Sequence, residues 1–317
     1  MRKNKIAFAN FNCTFGSRDL KDLLEEVVLP SFQIDEPILR RGNSYVVFLY
    51  TKREEVELDD TREDVIHGKI LYAKKITSSQ YLTSDMQLKR ETRELDSAPS
   101  STFILLLNTH RLIYFAETDN APSLDKFEKA SRRALKVAYD RFIATLVINK
   151  YYTKAAAKSE FENPVLDIVE FTEKDSFNSF LERFSKLKKL EIHFFRPNGE
   201  YHYADFFETV SDTSEYLGAK STQCKIENGR NGLNKDAVRE LAAPAAEKAE
   251  QKIYLDGIDT KGRKIKGTNK NFMLIRDFLP LEAVGNVMIN LISYYRTLVK
   301  TGDLPEEHIH NPQDKVR

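Results

Sequence analysis

Two segments of the sequence share one order of elements, a β-hairpin followed by a long helix, and this order constrains the fold most. The first, 101–117, has two apolar arms around Asn108-Thr109-His110 and precedes a helix predicted for 123–149. The second, 253–278, precedes a helix predicted for 281–300. Hairpins pair antiparallel strands, and no βαβ run is long enough to require an all-parallel sheet. The sequence therefore predicts an α+β protein with two lobes of mixed, largely antiparallel sheet and flanking helices.

Length and composition predict how the chain is divided. The chain has 317 residues, of which 41% are hydrophobic and 31% charged, which is typical of folded proteins and long enough for two lobes. A stretch rich in Ala, Lys and Glu before Pro164 marks the boundary. We expect an N-terminal α+β lobe over 1–150, a linker over 151–163, a C-terminal α+β lobe with a basic hairpin over 164–302, and a polar tail over 303–317.

Hydrophobic periodicity predicts the remaining elements. Alternating apolar residues predict strands at 5–15, 44–50, 69–76, 165–171, 190–195 and 223–227. Apolar residues at helical spacing predict helices at 19–29, 177–187, 203–217 and 234–252. We expect Pro30 to end the first of these helices and Asn234 to cap the last.

The hairpin 253–278 has the most informative charge pattern in the chain. Its predicted arms are 253–255 and 272–275, and its predicted turns are at Gly257, Gly262 and Gly267. Its cations are Lys261, Arg263, Lys264, Lys266 and Lys270, and no acid follows Asp259 within the tip. Closely spaced cations on a glycine-hinged loop suit a polyanion of regularly repeated charge, so nucleic-acid phosphate is the first partner to consider. A solvated loop tip also explains these residue types.

The charge surplus is local, because the net charge of the whole chain is only +1. Between Lys220 and Lys270 there are 12 Lys or Arg against 7 Asp or Glu. Lys225, Arg230 and Lys235 extend the predicted phosphate-binding track beyond the hairpin. A second basic surface is the polar face of the 123–149 helix, which carries Lys126, Lys129, Arg132, Arg133, Lys136 and Arg141. An ordinary solvated helix face explains that pattern as well.

The sequence contains no strong catalytic motif. It lacks GxxxxGK[ST], GxGxxG after a strand, and HExxH. His193, His202 and Asp205 come closest to a metal cluster, although surface histidines are the better interpretation. Cys13 and Cys224 lie far from any second ligand, which argues against zinc and favours a reducing cytoplasm. We assign no catalytic residue, metal ligand or cofactor; a metal-dependent nuclease is a minor alternative to a protein that is not an enzyme.

Several segments, taken in order, resemble the RexA-like phage exclusion family. They are RGNSYVVFLYTK at 41–52, SSTFILLLNTHRLIYFAETDNAPSLDKFEKA at 100–130, LEIHFF at 190–195, the late basic hairpin and the terminal helix. The resemblance implies a self-associating α+β protein that binds DNA largely without regard to sequence in bacterial defence against phage. The charged insert at 52–68 and the polar stretch at 80–100 are longer than that pattern, so the resemblance says least about the N-terminal lobe. The DNA-binding subunit of Kiwa-type defence systems is a neighbouring alternative.

The sequence as a whole predicts a cytoplasmic homodimer that binds double-stranded DNA through phosphate contacts in anti-phage defence, by abortive infection or phage exclusion. Self-association is suggested by the 281–300 helix, where Ile289, Ile292, Tyr294 and Tyr295 lie beyond a single apolar stripe. The alternative is a protein-interaction subunit of a defence or toxin complex, whose hairpin meets an acidic partner. A membrane or effector protein is a further candidate partner. We expect no direct insertion into a membrane, because the longest apolar run is far too short.

Overall fold

The computed structural model describes residues 4–58, 61–82, 84–90, 92–194, 209–210, 213–214, 216–219, 222–249, 251–278 and 287–305. The first strands are β1 (Asn4–Phe15), β2 (Arg18–Asp19), β3 (Leu39–Arg41), β4 (Ser44–Leu58), β5 (Thr61–Ser78), β6 (Tyr81–Leu82), β7 (Leu88–Lys89) and β8 (Arg93–Ser97). They are followed by β9 (Ser100–Leu106), β10 (Arg111–Ala116), β11 (Val165–Glu170), β12 (Phe184–Phe194), β13 (Thr222–Glu227), β14 (Gln251–Asp259), β15 (Lys264–Thr268) and β16 (Ile275–Phe278). The α-helices are α1 (Leu29–Phe32), α2 (Leu124–Ile148), α3 (Lys154–Glu160), α4 (Lys174–Glu182), α5 (Lys235–Glu247) and α6 (Val287–Lys300).

These elements form two antiparallel sheets with helices packed against them, which confirms the predicted α+β class. The large sheet has the strand order β11-β1-β10-β9-β5-β4-β3, with β2 and β16 also pairing with β1 and β8 pairing with β5. The small sheet has the order β13-β12-β14-β15. A further pair joins β6 to β7.

Strand β1 lies inside the large sheet and is buried on both faces. Phe11 and Phe15 pack in the core beneath α1 and α2, whereas Ile6 and Phe8 pack in the core beneath α6. Because side chains alternate between the two faces of a strand, the apolar residues of β1 contribute to both cores. The charged stretch 52–68 is no loose insert, since it forms parts of β4 and β5, the longest strands of the sheet.

Helix α2 confirms the helix predicted for 123–149. The Ser123 side chain caps it by accepting a hydrogen bond from the N–H of Lys126 at 3.3 Å. Its buried face includes Phe127, whose ring lies 5.1 Å from that of Phe103 and 6.2 Å from that of Phe32, measured between centroids. Large rings bury much apolar area, so this cluster fixes α2 against the sheet. The opposite face of α2 is left to charged residues.

Three predicted helix ends are wrong. The first helix continues past Pro30 to Phe32, as a 3₁₀ turn over Lys21–Leu23, a π turn over Leu24–Val28 and then α1. Proline is tolerated in the first turn of α1 because the N–H that it lacks has no partner there. The helix predicted for 177–187 is α4, which ends at Glu182, and β12 starts at Phe184. The helix predicted for 234–252 is α5, which ends at Glu247, and β14 starts at Gln251. Most of the segment 203–217 lies outside the described residues.

The division into two lobes stays a prediction, and strand pairing crosses the proposed linker 151–163. That segment contains α3. Beyond it, β11 pairs with β1 over Ala9–Thr14, and β16 pairs with β1 over Asn4–Ala7. Residues from both halves therefore build the large sheet. Of the predicted polar tail, Leu304 is buried with the α6 core, and 306–317 lie outside the described residues.

The basic hairpin is shorter than predicted. Its second arm is β15, which pairs with β14 from Tyr254↔Thr268 to Ile258↔Lys264, whereas 275–278 leave to join the large sheet. The turn is therefore confined to 260–263, where Gly262 has a φ of +79°. Gly257 and Gly267 do not supply turns, because both lie within strands and their bare Cα atoms admit close neighbours. A Cβ on Gly257 would overlap the carbonyl oxygen of Lys186.

We predict that Gly257→Ala destabilises the protein by about 1–3 kcal/mol, because a backbone oxygen cannot swing away from the added methyl group. Gly229→Ala is the matched control, since a Cβ there would meet nothing within 4 Å. Urea unfolding followed by circular dichroism measures both free energies of unfolding. Equal midpoints for the two variants would contradict the assigned register of β12 and β14.

Candidate nucleic-acid interface

The small sheet has one face covered by helices and one left without them. Phe180 of α4 and Ala242 of α5 pack with Ile192 and Leu255 in the covered core. We call the other side the open face. Its side chains are Lys189, Glu191 and His193 on β12; Gln223, Lys225 and Glu227 on β13; Lys252, Tyr254 and Asp256 on β14; and Lys264, Lys266 and Thr268 on β15. This face is polar and carries five lysines against three carboxylates.

The predicted hairpin cations fall into three positions. Lys264 and Lys266 alternate with Ile265 and Gly267, so both lysines lie on the open face. Lys261 and Arg263 lie at the turn between β14 and β15. Lys270 lies in the 3₁₀ turn after β15 and forms an ion pair with Asp125 of α2. The cations are therefore spread over the open face, the turn and the junction with α2 rather than gathered at one tip.

The predicted extension of the track is split between the two sides of the small sheet. Lys225 lies on the open face, two residues from its ion-pair partner Glu227 on the same strand. Arg230 lies in the turn after β13, and its carbonyl oxygen accepts a hydrogen bond from Lys186. Lys235 begins α5 in the helix layer. The structure thus joins Lys225 to the hairpin lysines and separates Lys235 from them.

Most of these cations have a carboxylate partner within the chain. The N···O distances are 2.8 Å for Arg263–Asp259, 3.6 Å for Lys266–Asp256, 2.8 Å for Lys225–Glu227 and 2.7 Å for Lys235–Glu182. Within the described residues, Lys261, Lys264 and Arg230 make no such pair. Exposed ion pairs contribute about 0–1 kcal/mol, so a phosphate can displace Asp256 or Glu227 from a lysine. Asp259 is only 13% exposed and accepts backbone hydrogen bonds from Lys261 and Arg263, so it stays in place. The negative charge of these carboxylates nevertheless weakens the field of the hairpin.

Helix α2 brings part of the second predicted basic surface next to the open face. Lys129 and Arg132 line a cleft of about 290 Å³ together with Lys252, Tyr254 and Lys270. The other cations of the helix lie away from this cleft or are engaged elsewhere: Lys126 lies over the ring of Tyr72, Lys136 pairs with Asp140, and Arg141 pairs with Glu36. The two surfaces that the sequence suggested separately therefore meet, but only at the N-terminal half of α2.

A buried ion network holds the open face against α2. Lys252 lies 2.9 Å from Glu128 of α2 and 3.0 Å from Asp167 of β11, and Arg132 contacts the same two carboxylates at 2.8 and 2.9 Å. The Lys252 side chain is only 15% exposed. Charge patterning could not reveal this network, because its members lie up to 124 positions apart in the chain.

The network shifts two pKa values in the directions that stabilise the fold at neutral pH. Burial opposes the charge of Glu128, but Lys252 and Arg132 outweigh it and hold the pKa of Glu128 below its usual value. Burial likewise opposes the charge of Lys252, yet Asp167 and Glu128 raise the pKa of Lys252. The contribution of Glu128 to the free energy of unfolding is therefore lost as pH falls through the pKa of Glu128 in the folded protein. The contribution of Lys252 is lost as pH rises through the pKa of Lys252 in the folded protein.

Glu170 lies at the base of the cleft, at the end of β11. The residue is 2% exposed, and burial raises the pKa of its carboxyl. No pattern in the sequence indicates this buried carboxyl group, because a Glu that ends a strand is usually solvated.

An aromatic pair occupies the middle of the open face. The rings of His193 and Tyr254 lie 4.5 Å apart between centroids. Glu191 holds the histidine through a 2.6 Å contact to Nε2 and contacts Lys189 at 2.7 Å, and these two groups lower the pKa of Glu191 to about 2, the lysine more strongly. His202 and Asp205, considered with His193 as metal ligands, lie outside the described residues. Within the described parts of the chain, no three His, Cys, Asp or Glu side chains are grouped to hold a metal.

Comparison with models of known protein families and with curated proteins finds no match to this sequence. Among the helices in the described ranges, none combines the length and hydrophobicity needed to cross a bilayer.

We predict that Lys252→Met lowers the free energy of unfolding by up to about 3 kcal/mol, because it leaves Glu128 and Asp167 buried with fewer counter-charges. Lys264→Met is the matched control on the same face and should change stability by no more than about 0.5 kcal/mol. Urea unfolding at pH 7 measures both. In a Glu128→Gln background the loss from Lys252→Met should shrink, and an unchanged loss would contradict the ion pair.

Proposed function

We propose that this protein binds double-stranded DNA without sequence preference, through backbone phosphates, along the open face of the small sheet and the adjoining end of α2. The observation that supports the proposal most is the meeting of two basic surfaces, the β14–β15 hairpin and α2, at one cleft. A phosphate backbone follows a line, so a binding surface needs cations spread over several elements. Lys189 of β12, Lys225 of β13, Lys264 and Lys266 of β15, and Lys129 of α2 supply that spread.

The residue types also favour binding without base recognition. Base edges in the major groove are read by side chains with fixed geometry, above all by paired contacts from arginine. The open face instead carries lysines, whose flexible stems and compact charges suit phosphate. Arg132, the arginine of the cleft, is engaged by Glu128 and Asp167. Duplexes of unrelated sequence should therefore bind alike.

The biological setting is part of the proposal and rests on the family resemblance of the sequence. In that setting the protein acts in the cytoplasm of a bacterium, in abortive infection or phage exclusion, without being an enzyme. A membrane or effector protein would then carry the signal onward.

We predict that replacing Lys261, Lys264 and Lys266 with Ala weakens the binding of every duplex alike. Lost phosphate contacts should also make the slope of log K against log[salt] shallower by up to about one unit each. The matched control replaces Lys150, Lys154 and Lys158 with Ala. It removes the same charge near the far end of α2, about 30 Å along the helix from Lys129. Fluorescence anisotropy from about 50 to 200 mM salt measures affinity and slope.

The opposite change sharpens this test. Asp256→Asn removes the carboxylate that pairs with Lys266, so it should strengthen DNA binding. If the triple variant stays folded with the affinity and slope of the control, the hairpin is not the binding surface.

We further propose that the protein forms a homodimer through the outer side of α6. Ile292 and Tyr295 are buried in the core and Tyr294 packs on Phe278, so the outward apolar stripe is narrower than predicted. Val287 and Ile289 are 41% and 38% exposed and lie on either side of the buried face of α6, because residues two apart in a helix do not point the same way. Unpaired apolar side chains on a helix favour a twofold mate.

We predict that light scattering at tens of micromolar protein gives the mass of a dimer, and that Ile289→Lys gives the mass of a monomer, because a charge cannot be buried there unpaired. Lys300→Ala, on the same helix, is the control and should leave the mass unchanged. A monomeric wild-type protein would contradict the proposal.

An alternative function is the binding of an acidic protein as a subunit of a defence or toxin complex. It is favoured by the number of basic side chains in this region that contact carboxylates of their own chain, since the same geometry suits carboxylates of a partner. Absence of DNA binding at about 50 mM salt would favour this alternative.

A further inference from the structure

The aromatic pair of the open face lies where a stacking platform would be expected. Strands β12 and β14 are the two central strands of the small sheet, so His193 and Tyr254 lie at the middle of the face. Lys252 lies beside both rings, Gln223 lies across from His193, and Thr268 lies across from Tyr254. The apolar core of this sheet lies on its other face, under α4 and α5. Aromatic rings at the centre of a four-stranded sheet, among cations, are an arrangement by which proteins stack unpaired bases.

The platform is held in place before any ligand arrives. The contact of His193 with Glu191 fixes the imidazole, and the two rings are in contact with each other. Two residues before Tyr254, the chain is fixed by the buried ion network of Lys252. A rigid ring loses little conformational entropy on binding, so its stacking energy is retained.

The cleft beside Tyr254 has the size of a single small ligand. Its volume of about 290 Å³ is near the lower end of ligand pockets, which begin at roughly 300 Å³. Lys129 and Lys270 lie at its rim, both paired with Asp125, and Thr268 and Asn269 add polar groups. One nucleotide fits this description, with its base against the tyrosine and its phosphates toward the rim.

The charges of the cleft do not oppose this occupant. Glu128 and Asp167 are neutralised by Lys252 and Arg132. Glu170, at the base, has its pKa raised by burial, which reduces the cost of bringing an anion near it. A base within a duplex is already stacked and paired, so only an unpaired base can enter.

We propose that the cleft between α2 and β14 binds one unpaired nucleobase of a single strand, stacked on Tyr254, whose ring packs against His193, with the neighbouring phosphates held by Lys129, Lys270 and the open-face lysines Lys264 and Lys266. This inference rests on the proposed phosphate-binding function and adds a preference for single-stranded or locally unpaired nucleic acid. Duplex regions bind by phosphates alone, and unpaired segments gain the stacking contact.

The test compares three labelled probes that present phosphates with different bases: a thymidine strand of about 15 nucleotides, an abasic strand of the same length and a duplex of that length. The wild-type protein should bind the thymidine strand about 5- to 100-fold more tightly than the abasic strand. Tyr254→Leu should make the affinities for the thymidine and abasic strands equal, whereas Tyr254→Phe should keep the preference for the thymidine strand. Lys264→Ala should weaken binding of all three probes without changing the ratio.

Two further measurements make the test independent of one variant. If Tyr254→Leu does not fold by circular dichroism, His193→Gln replaces it, because the amide can still reach Glu191 while the ring is removed. Photocrosslinking of a strand that contains 5-iodouracil should label the peptide with Tyr254. Free thymidine monophosphate at about 1 mM should compete weakly, since it lacks the flanking phosphates; full competition would instead indicate a mononucleotide site and overturn the single-strand preference.

The outcomes separate the two proposals. If the wild-type protein binds all three probes equally, or if the crosslink maps elsewhere, phosphate binding stands and the stacking site is wrong. If none of the probes binds, both proposals fail. If both Tyr254→Leu and His193→Gln still bind the thymidine strand more tightly than the abasic strand, by the same factor as the wild-type protein, the stacking site is also wrong.

Discussion

The buried contact of Lys252 with Glu128 and Asp167 is the interaction on which the arrangement of this protein depends. It joins β14 of the small sheet to α2 and to β11 of the large sheet, so three elements from distant parts of the chain meet at one ammonium group. An ammonium group with little access to water requires its counter-charges in place, which permits few relative positions of the sheet and the helix. The cleft beside Tyr254 exists because this position is fixed.

A comparison of exposure separates cations that hold the fold together from cations that stay accessible to solvent. Lys252 is 15% exposed, whereas Arg263 and Lys266 are 70% and 77% exposed. Water screens the pair of Lys266 with Asp256, so this carboxylate can be exchanged for a phosphate at little cost, while exchange at Lys252 would undo the junction. Asp259, the partner of Arg263, is held by backbone hydrogen bonds and leaves only the guanidinium accessible. The same type of side chain therefore builds the site in one place and is available to a ligand in another.

Local patterns predicted the elements whose partners are nearby in the chain. The hairpin around 108–110 and the capped helix α2 are correct because turn residues, alternation and a cap determine them within a short window. The predicted position of the second hairpin arm was wrong, because the true arm, 264–268, lacks the apolar residues of a typical strand. It carries lysines on its open face and a glycine under Phe180. Phe272 instead packs in the core of the small sheet, and Leu274 packs in the core beneath α6.

The sequence by itself determined the α+β class, the limits of α2 and the concentration of cations between β14 and β15, because each follows from residues close together in the chain. Only the tertiary structure decided that Lys264 and Lys266 share a face with Lys225, that Lys235 does not, and that Tyr254 stands beside α2. Register and sheet order set those neighbours, and both arise from the burial of side chains that are distant in sequence. The large sheet shows the same limit, since β11 and β16 reach β1 from beyond the predicted linker.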